Sequence, residues 1–293
     1  MVKFILNRGK LYAVLLAIIL IYKPNTASCF YIQSYYLQYH LDYKNEKLFC
    51  KADIVLATTQ ADDTLNFLLY RLLKVKSVKD ETGAAINFLQ RVVSFEDWEA
   101  LQVNHLAILF RRQNKKNGTK KITIEYEGHI LGYSETGLRY IQDRIDPAFT
   151  IVRMDSYSYP VPGIPSWSKI RAAGFRNFDY LISVTVPDSV NVANGGVLVS
   201  KKTAKRVSEY VFKNIKPTWR IDIAIGRYSE YNLNGFTVRF FPADSNGAKT
   251  VLNHLQQAYQ LYQSWFGKIP FEGISIIEIP DGWGSQTDVT CII

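Results

Sequence analysis

The hydrophobic period of this sequence changes once, near residue 236, from the period of strands to that of a helix. From Phe30 to about Tyr231, β-branched and aromatic runs are separated by Gly, Asn, Asp and Pro clusters. This part therefore predicts a mainly β fold, a large antiparallel β-sandwich or saddle. The predicted strands are Ala52–Thr58, Leu65–Val75, Leu106–Phe110, Ile122–Tyr126, Asp179–Val186 and Trp219–Ile225, with a short helical turn at Phe95–Leu101.

The last part of the chain predicts a helix and a buried strand. Ser245 or Asn246 can cap the start of the helix, Gly267 ends it and Pro270 blocks its continuation. The short apolar run Ile274–Ile279 is typical of a buried strand. These elements predict that a second domain of α/β type begins near residue 236. The apolar helix face consists of Val251, Leu255, Ala258, Tyr259, Tyr262, Trp265 and Phe266.

The N-terminus has the pattern of a secretory signal peptide, predicted at residues 1–28. Lys3, Arg8 and Lys10 precede the uncharged run Leu11–Tyr22, and small residues precede Cys29. The alternative is a retained membrane anchor, but this run rises only about 18 Å as a helix, against about 30 Å for the hydrocarbon core. We therefore expect export to the periplasm, the cell surface or the extracellular space. Cleavage would leave Cys29 first, where a lipid anchor is an open alternative.

The three cysteines, Cys29, Cys50 and Cys291, are too few for a disulfide framework, and their spacing matches no metal motif. A bridge between Cys29 and Cys50 is an open alternative. The formal charge of +9 includes the basic run Arg111–Lys121. We interpret this run as a solvated turn and not as a nucleic-acid surface. The dipeptide Asn117-Gly118 predicts a hairpin between the two strands on either side of it.

The segment Tyr157–Ser168 has three prolines within six residues, which predicts an irregular loop and not a strand. Tyr157 and Tyr159 lie close in sequence to Trp167. These rings either form a platform on which a sugar or peptide stacks or pack within the loop, and we expect packing.

Four segments in order resemble the M1 peptidase family, the zinc aminopeptidases related to membrane alanyl aminopeptidase. The resemblance extends over Tyr140–Ile293, and residues before it share only β character. It implies an aminopeptidase N-like β-domain at 29–235 and the start of a truncated, thermolysin-like catalytic domain at 236–293. The four segments are FDYLISVTVPDSVNVANGG (Phe178–Gly196), PTWRIDIAIGRYSEY (Pro217–Tyr231), the helix ending Trp265-Phe266-Gly267, and Ile277-Glu278-Ile279-Pro280.

The resemblance also implies a substrate-binding turn. The family's Gly-x-Met-Glu-Asn turn falls on residues 284–288, so Gly284, Ser285 and Gln286 are the candidate substrate-binding residues. Thr287 stands where the family has the glutamate that holds the α-ammonium group of the substrate, and a hydroxyl cannot replace that charge. The other interpretation is a frayed hairpin without a covering domain. Nearby carboxylates are Asp281 and Asp288.

Zinc binding in this family requires a His-Glu-x-x-His helix and a further Glu ligand. No histidine of this chain has a second one four residues away, so we predict neither zinc ligands nor catalytic residues in it. His254, on the predicted helix, is interpreted as a half-exposed surface residue. The complete family enzyme would use zinc. The histidines are His40, His105, His129 and His254.

Two functions follow from these patterns. In the first, the chain is the N-terminal part of an exported zinc metallopeptidase that hydrolyses peptides, is inactive alone, and needs the missing zinc domain in cis or in trans. In the second, it is an exported β-sandwich binding module without catalytic chemistry.

Overall fold

Strands dominate the computed structural model, which describes residues 30–58, 64–109, 118–268 and 273–293. Strands account for 54% of the described residues and helices for 15%, so the predicted mainly β fold is confirmed. The α-helices described are Trp167–Ala173 (α1) and Ser245–Phe266 (α2). The strands are Phe30–Asp42 (β1), Lys47–Thr58 (β2), Thr64–Tyr70 (β3), Leu73–Asp80 (β4), Phe88–Phe95 (β5), Trp98–Leu109 (β6), Gly118–Gly128 (β7), Phe149–Arg153 (β8), Val161–Pro162 (β9), Asp179–Pro187 (β10), Asn191–Asn194 (β11), Val197–Ala204 (β12), Val207–Lys213 (β13), Asp222–Gly226 (β14), Ser229–Leu233 (β15), Phe236–Phe240 (β16), Ser275–Ile277 (β17) and Cys291–Ile292 (β18).

The largest sheet has seven strands in the order β12-β13-β10-β1-β2-β7-β4. Its pairs are antiparallel except for β1 and β10, which run parallel from the pair Ser34 and Asp179 to the pair His40 and Thr185. Along β2, buried and more exposed residues alternate, because successive side chains of a strand point to opposite faces. One face of this sheet therefore forms half of the main core.

A four-stranded sheet in the order β5-β6-β3-β9 supplies the other half of that core. Buried residues of both sheets belong to one hydrophobic cluster. The rings of Phe30 on β1 and Phe67 on β3, for example, have centroids 5.3 Å apart. This arrangement is the sandwich or saddle that the strand pattern predicts.

Two local predictions are wrong. The predicted helical turn is the end of the β5–β6 hairpin, where Phe95 pairs with Trp98. Asp97 in its turn accepts hydrogen bonds from the backbone N–H groups of Trp167 and Ser168, 2.9 and 2.8 Å away, and so caps α1. The predicted hairpin around Gly118 does not form either. β6 pairs with β5 and β3, whereas β7 pairs with β2 and β4 in the other sheet.

The proline-rich segment packs inside the protein, as expected. Tyr157 and Tyr159 are buried, and the Tyr159 hydroxyl accepts a hydrogen bond of 3.1 Å from the backbone N–H of Ile221. A stacking platform for a ligand is therefore excluded at these rings. The expectation of a loop without a strand is wrong for Val161 and Pro162, which form β9. Proline is tolerated there because β9 is an edge strand.

Two smaller sheets complete the fold, with the orders β11-β14-β8 and β15-β16-β17-β18. Helix α2 packs on β16 through the buried residues Ala248 and Leu252. The predicted helix face is only half right, because Val251 and the C-terminal aromatic residues of α2 are exposed.

The predicted end of α2 is confirmed, but its predicted N-cap is wrong. Gly267 has φ 82° and donates its backbone N–H to the Gln263 carbonyl at 2.9 Å. Asp244 is the N-cap residue, at the end of a 3-10 turn, and the Ser245 hydroxyl contacts that of Tyr231 at 2.7 Å.

Several sequence predictions lie outside the described residues and stay predictions. They are the signal peptide at 1–28, the lipid anchor at Cys29, its bridge to Cys50, most of the basic run at 111–121, and the role of Pro270. No helix in the described ranges is long and apolar enough to cross a bilayer.

A pair of identical substitutions tests the two-layer core. Leu106 on β6 is fully buried, whereas Leu89 on the neighbouring β5 is 52% exposed. We expect Leu106→Ala to lower the free energy of unfolding by about 2–5 kcal/mol, because it leaves a cavity. Leu89→Ala should lower it by less than about 1 kcal/mol. Urea unfolding measures both values. Equal losses would contradict the burial of the Leu106 side chain between the two sheets.

Candidate substrate-binding edge

The turn that contains the candidate substrate-binding residues is held in place on both sides. Trp283 is buried, and its ring lies edge-on to that of Phe149, with centroids 5.0 Å apart. Gly284 has φ 71°, and a Cβ atom there would lie 2.8 Å from Cδ2 of Tyr140. Both observations require glycine at position 284, because an L side chain would be strained in its backbone and would clash with the ring.

After this turn the chain pairs with its own last residues. Gln286 and Ile293 exchange two backbone hydrogen bonds of 2.8 and 2.9 Å, and Asp288 donates its N–H to the Cys291 carbonyl at 2.9 Å. β18 in turn pairs with β17, and Cys291 and Ile293 are buried. The interpretation of this segment as a frayed hairpin is therefore wrong, since its backbone is paired and strands of this chain cover Cys291 and Ile293. Val289 and Ile292 remain exposed.

Arg153, the last residue of β8, holds the turn at residues 283–284 in place. Its side chain is fully buried and bonds Asp143 through Nε, at 3.0 Å from Oδ2, and through Nη2, at 2.8 Å from Oδ1. Its remaining N–H groups reach the carbonyl oxygens of Gly284 and Trp283, at 2.8 and 2.7 Å. Burial raises the pKa of the Asp143 carboxyl, and the charge of Arg153 limits that rise. The guanidinium thus depends on the turn for its hydrogen bonds.

Arg220 makes a second connection to the same segment. It lies two residues before the Asp222 carboxylate, which it bonds through Nε and Nη2 at 2.6 Å each, and its Nη2 also bonds Asp155. Nη1 donates to the side-chain oxygen of Gln286 at 3.2 Å. Burial alone would lower the pKa of Arg220, but the two carboxylates outweigh it and raise the pKa. The side chain of Gln286 is therefore held by a buried, permanently charged group.

This ionic network was not predicted, although the sequence contains a signal for it. Arg153-Met-Asp155 and Arg220-Ile-Asp222 both place opposite charges two residues apart in otherwise apolar runs. A charge in an apolar run has to be paired if the run is buried, so two opposite charges this close indicate an internal ion pair. Both pairs lie at strand ends, since β8 ends at Arg153 and β14 begins at Asp222.

Ser285 and Thr287 lie on the open side of the segment. Because Gln286 directs its N–H and C=O toward Ile293, the backbone groups of Ser285 and Thr287 point the opposite way. Among the described residues, those groups have no hydrogen-bond partner, and both residues are exposed. We call residues 284–287 the open edge. It has the geometry that an added strand requires.

The structure supplies no free carboxylate at position 287. The Thr287 hydroxyl donates to the carbonyl oxygens of Cys291 and Asp288, at 3.1 and 3.2 Å. Oδ1 of Asp288 accepts two backbone N–H groups of its own loop, at 2.7 Å each, and burial raises the pKa of that carboxyl. Asp281 is exposed.

The histidines do not gather. His105 bonds the Asn66 side chain at 3.0 Å, and His129 bonds the Glu46 carbonyl at 2.9 Å. His254 is exposed on α2, as interpreted from the sequence. Within the described ranges, no three His, Cys, Asp or Glu side chains are placed to hold a metal ion. These residues therefore do not fit a zinc site.

The fold matches that of one part of known zinc metallopeptidases. An M1 zinc metallopeptidase from Deinococcus radiodurans is 14% identical, with a TM-score of 0.61 over 90% of this chain and 59% of that one. A mutant of that enzyme bound to a Tyr-Ser-Ala substrate is 13% identical, with a TM-score of 0.62 over 90% of this chain and 60% of that one. Yeast LTA4 hydrolase is 12% identical, with a TM-score of 0.62 over 92% of this chain and 42% of that one. This chain thus spans about 60% of the Deinococcus enzyme's length. No protein-family model and no curated protein matches the sequence.

Substitution of Arg153 tests whether the network stabilises the fold. We expect Arg153→Met to lower the free energy of unfolding by about 3–5 kcal/mol, because Asp143 would remain as an unpaired buried charge. Arg144→Met, at a neighbouring exposed arginine, should cost less than about 1 kcal/mol. The double variant Arg153→Met/Asp143→Leu should recover much of the loss. Equal effects at positions 153 and 144 in chemical unfolding would contradict the account.

The reactivity of Cys291 reports the docking of β18. Burial, followed by the nearby Asp288 and Asp222 carboxylates, raises the pKa of this thiol, so that little thiolate forms. We expect iodoacetamide at pH 8 to leave Cys291 unmodified in the native chain and to label it in urea, as measured by peptide mass mapping. Rapid labelling of the native chain would show that β18 is not docked.

Proposed function

We propose that this chain is the N-terminal part of an exported, aminopeptidase-like zinc metallopeptidase of the M1 type, in which Gly284, Ser285 and Gln286 bind the peptide substrate. The observation that carries the proposal is the open edge, whose inner side is held by Ile293 and the two buried arginines. The fold that the chain shares with M1 zinc metallopeptidases supports the same assignment.

The open edge would bind an extended peptide as an added strand. The outward backbone groups of Ser285 and Thr287 supply hydrogen bonds to the peptide backbone whatever its sequence. Gly284, without a side chain, allows the peptide to come close. Gln286 accepts from Arg220 with its oxygen, which leaves its amide NH₂ to donate to the peptide. Because Arg153 and Arg220 already hold the edge, little ordering remains to be done on binding.

Recognition of a free substrate N-terminus does not come from position 287. A carboxylate would be needed there to neutralise an α-ammonium group, and the Thr287 hydroxyl is engaged with its own loop. This edge therefore binds the peptide backbone and contributes no charge that selects aminopeptidase substrates.

The zinc ligands would belong to a further domain, joined in cis or supplied in trans, and the chain by itself would be inactive. The exposed C-terminal end of α2 supports such a partner domain. Tyr262, Trp265 and Phe266 are 51%, 62% and 80% exposed. The centroids of their rings lie 5.9–6.3 Å apart. Aromatic clusters of this kind are enriched at the centres of protein interfaces. Zinc-activated water would supply the hydrolytic chemistry.

The second candidate, an exported binding module, has one observation in its favour. Trp283, Cys291 and Ile293 pack on strands of this chain, so these three residues do not need another domain to be buried. A binding module would be a soluble monomer that melts cooperatively and gains no activity when a zinc domain is supplied.

Reconstitution tests the first function. The chain is combined with the zinc domain of an M1 metallopeptidase, fused or as a separate protein, and peptide hydrolysis is measured. We expect activity only in the combination, with neither activity nor stoichiometric zinc in the chain alone. Gln286→Ala should raise KM roughly 2–13-fold, since one hydrogen bond is worth about 0.5–1.5 kcal/mol. Gly284→Val should lower kcat/KM by displacing the edge.

Gln260→Ala, an exposed glutamine on α2, is the matched control and should leave KM unchanged. If the reconstituted enzyme is indifferent to both Gln286→Ala and Gly284→Val, the open edge does not bind substrate and the assignment of residues 284–286 is wrong.

A further inference from the structure

The largest sheet ends in a long strand that nothing described covers. β12 is the outermost strand and pairs with β13 on one side. On its other side, no strand of the described residues pairs with it. Seven of its eight residues are exposed, and its length is about 26 Å. Such an edge presents a row of unpaired backbone N–H and C=O groups, which are a template for another strand.

The first half of this edge is apolar. Val197, Leu198 and Val199 are 56%, 42% and 58% exposed. Leu198 pairs in register with Phe212 on the core face of the sheet but lies beyond the core. The register with β13 shifts between Leu198 and Ser200, so Val199 has no partner there. Consecutive exposed apolar residues on an open edge favour pairing with another chain.

The second half and the turn after it are cationic. Four cations occur within six residues, and in the described structure none of them forms an ion pair. The ammonium group of Lys201 lies over the Tyr210 ring, 4.9 Å from its centroid. The carboxylate opposite Lys202 in the register, that of Glu209, accepts a hydrogen bond from Ser183. The four are Lys201, Lys202, Lys205 and Arg206.

The turn itself shows a conformational cost. Lys205 and Arg206 have φ 51° and 65°, a region in which Asn and Gly are the favoured residues of a two-residue hairpin turn. The chain has two cations at these strained positions instead. Strained positions of this kind cluster at functional sites.

We propose that the β12 edge, Val197–Ala204 with its turn Lys205–Arg206, binds an extended acidic segment of a partner protein as an added strand. Backbone pairing along β12 supplies affinity, apolar side chains of the segment cover Val197–Val199, and its carboxylates face the cations. A second copy of this chain fits poorly, because Val197–Arg206 contains no acidic residue that could face the cations. An anionic membrane fits poorly too, because the apolar residues lie about 20 Å from the cationic turn along the strand.

The test uses the full chain and a fluorescein-labelled, N-acetylated peptide, Glu-Thr-Glu-Val-Glu-Val-Thr-Val, whose binding is followed by fluorescence anisotropy. We expect the same peptide with Lys in place of Glu to bind at least tenfold more weakly. Lys202→Glu/Arg206→Glu should weaken binding of the acidic peptide about tenfold, through lost charge pairing. Lys74→Glu reverses the charge of one lysine on β4, at the other edge of this sheet, and should leave binding unchanged.

Val199→Pro removes one backbone N–H from β12, at a residue without a register partner in β13, and should also weaken binding about tenfold. Thermal melting shows whether each variant is folded. If the proline variant does not fold, the charge variant alone tests the proposal. Equal affinity for the acidic and the basic peptide, or no effect of the charge variant, would overturn the proposal. Binding to phosphatidylserine vesicles that the charge variant abolishes, without peptide binding, would overturn it in favour of a lipid surface.

Discussion

Two buried arginines position the C-terminal turn of this protein. A guanidinium group in the interior must have its charge paired and its N–H groups bonded, or it costs several kcal/mol. Arg153 meets this requirement with Asp143 and with the carbonyl groups of Trp283 and Gly284. Arg220 meets it with Asp222, Asp155 and the side chain of Gln286. The turn is therefore held against β8 and the start of β14. Moving it away would leave buried guanidinium N–H groups without hydrogen bonds, which costs free energy.

This constraint separates the two sides of the open edge. On the inner side, the backbone of Gln286 is paired with Ile293, and the carbonyl groups before it are bonded to Arg153. On the outer side, the backbone groups of Ser285 and Thr287 face solvent. A rigid edge of this kind is suited to binding an extended peptide, because the geometry is set before the ligand arrives. The same fold leaves a second open edge at β12, which differs in being flanked by cations.

Local sequence patterns predicted the elements better than their partners. The β-rich first part and the end of α2 at Gly267 are readable because period, glycine and proline act locally. The turn at residue 284 was expected only from the resemblance to the M1 family. The sheets to which β6 and β7 belong cannot be predicted from local patterns. Asn117-Gly118 is typical of a hairpin turn, but long-range pairing places the two strands in different sheets. The side of α2 that packs depends on β16, and a helical period alone cannot show that the aromatic residues at its end remain exposed. The full arginine network was missed because several partners are remote in sequence: Asp143 is 10 residues from Arg153 and Gln286 is 66 from Arg220.

Peptide binding at the open edge requires that its inner side be paired and its outer side be free. Amide hydrogen exchange resolved to single residues tests it, with and without a saturating N-acetylated Tyr-Ser-Ala peptide. In the free chain we expect slow exchange at Gln286 and fast exchange at Ser285 and Thr287. With the peptide, exchange at Ser285 and Thr287 should become slow while that at Gln286 stays unchanged. Fast exchange at Gln286 in the free chain, or no protection of Ser285 and Thr287 by the peptide, would contradict the claim that this edge is preformed and binds peptide.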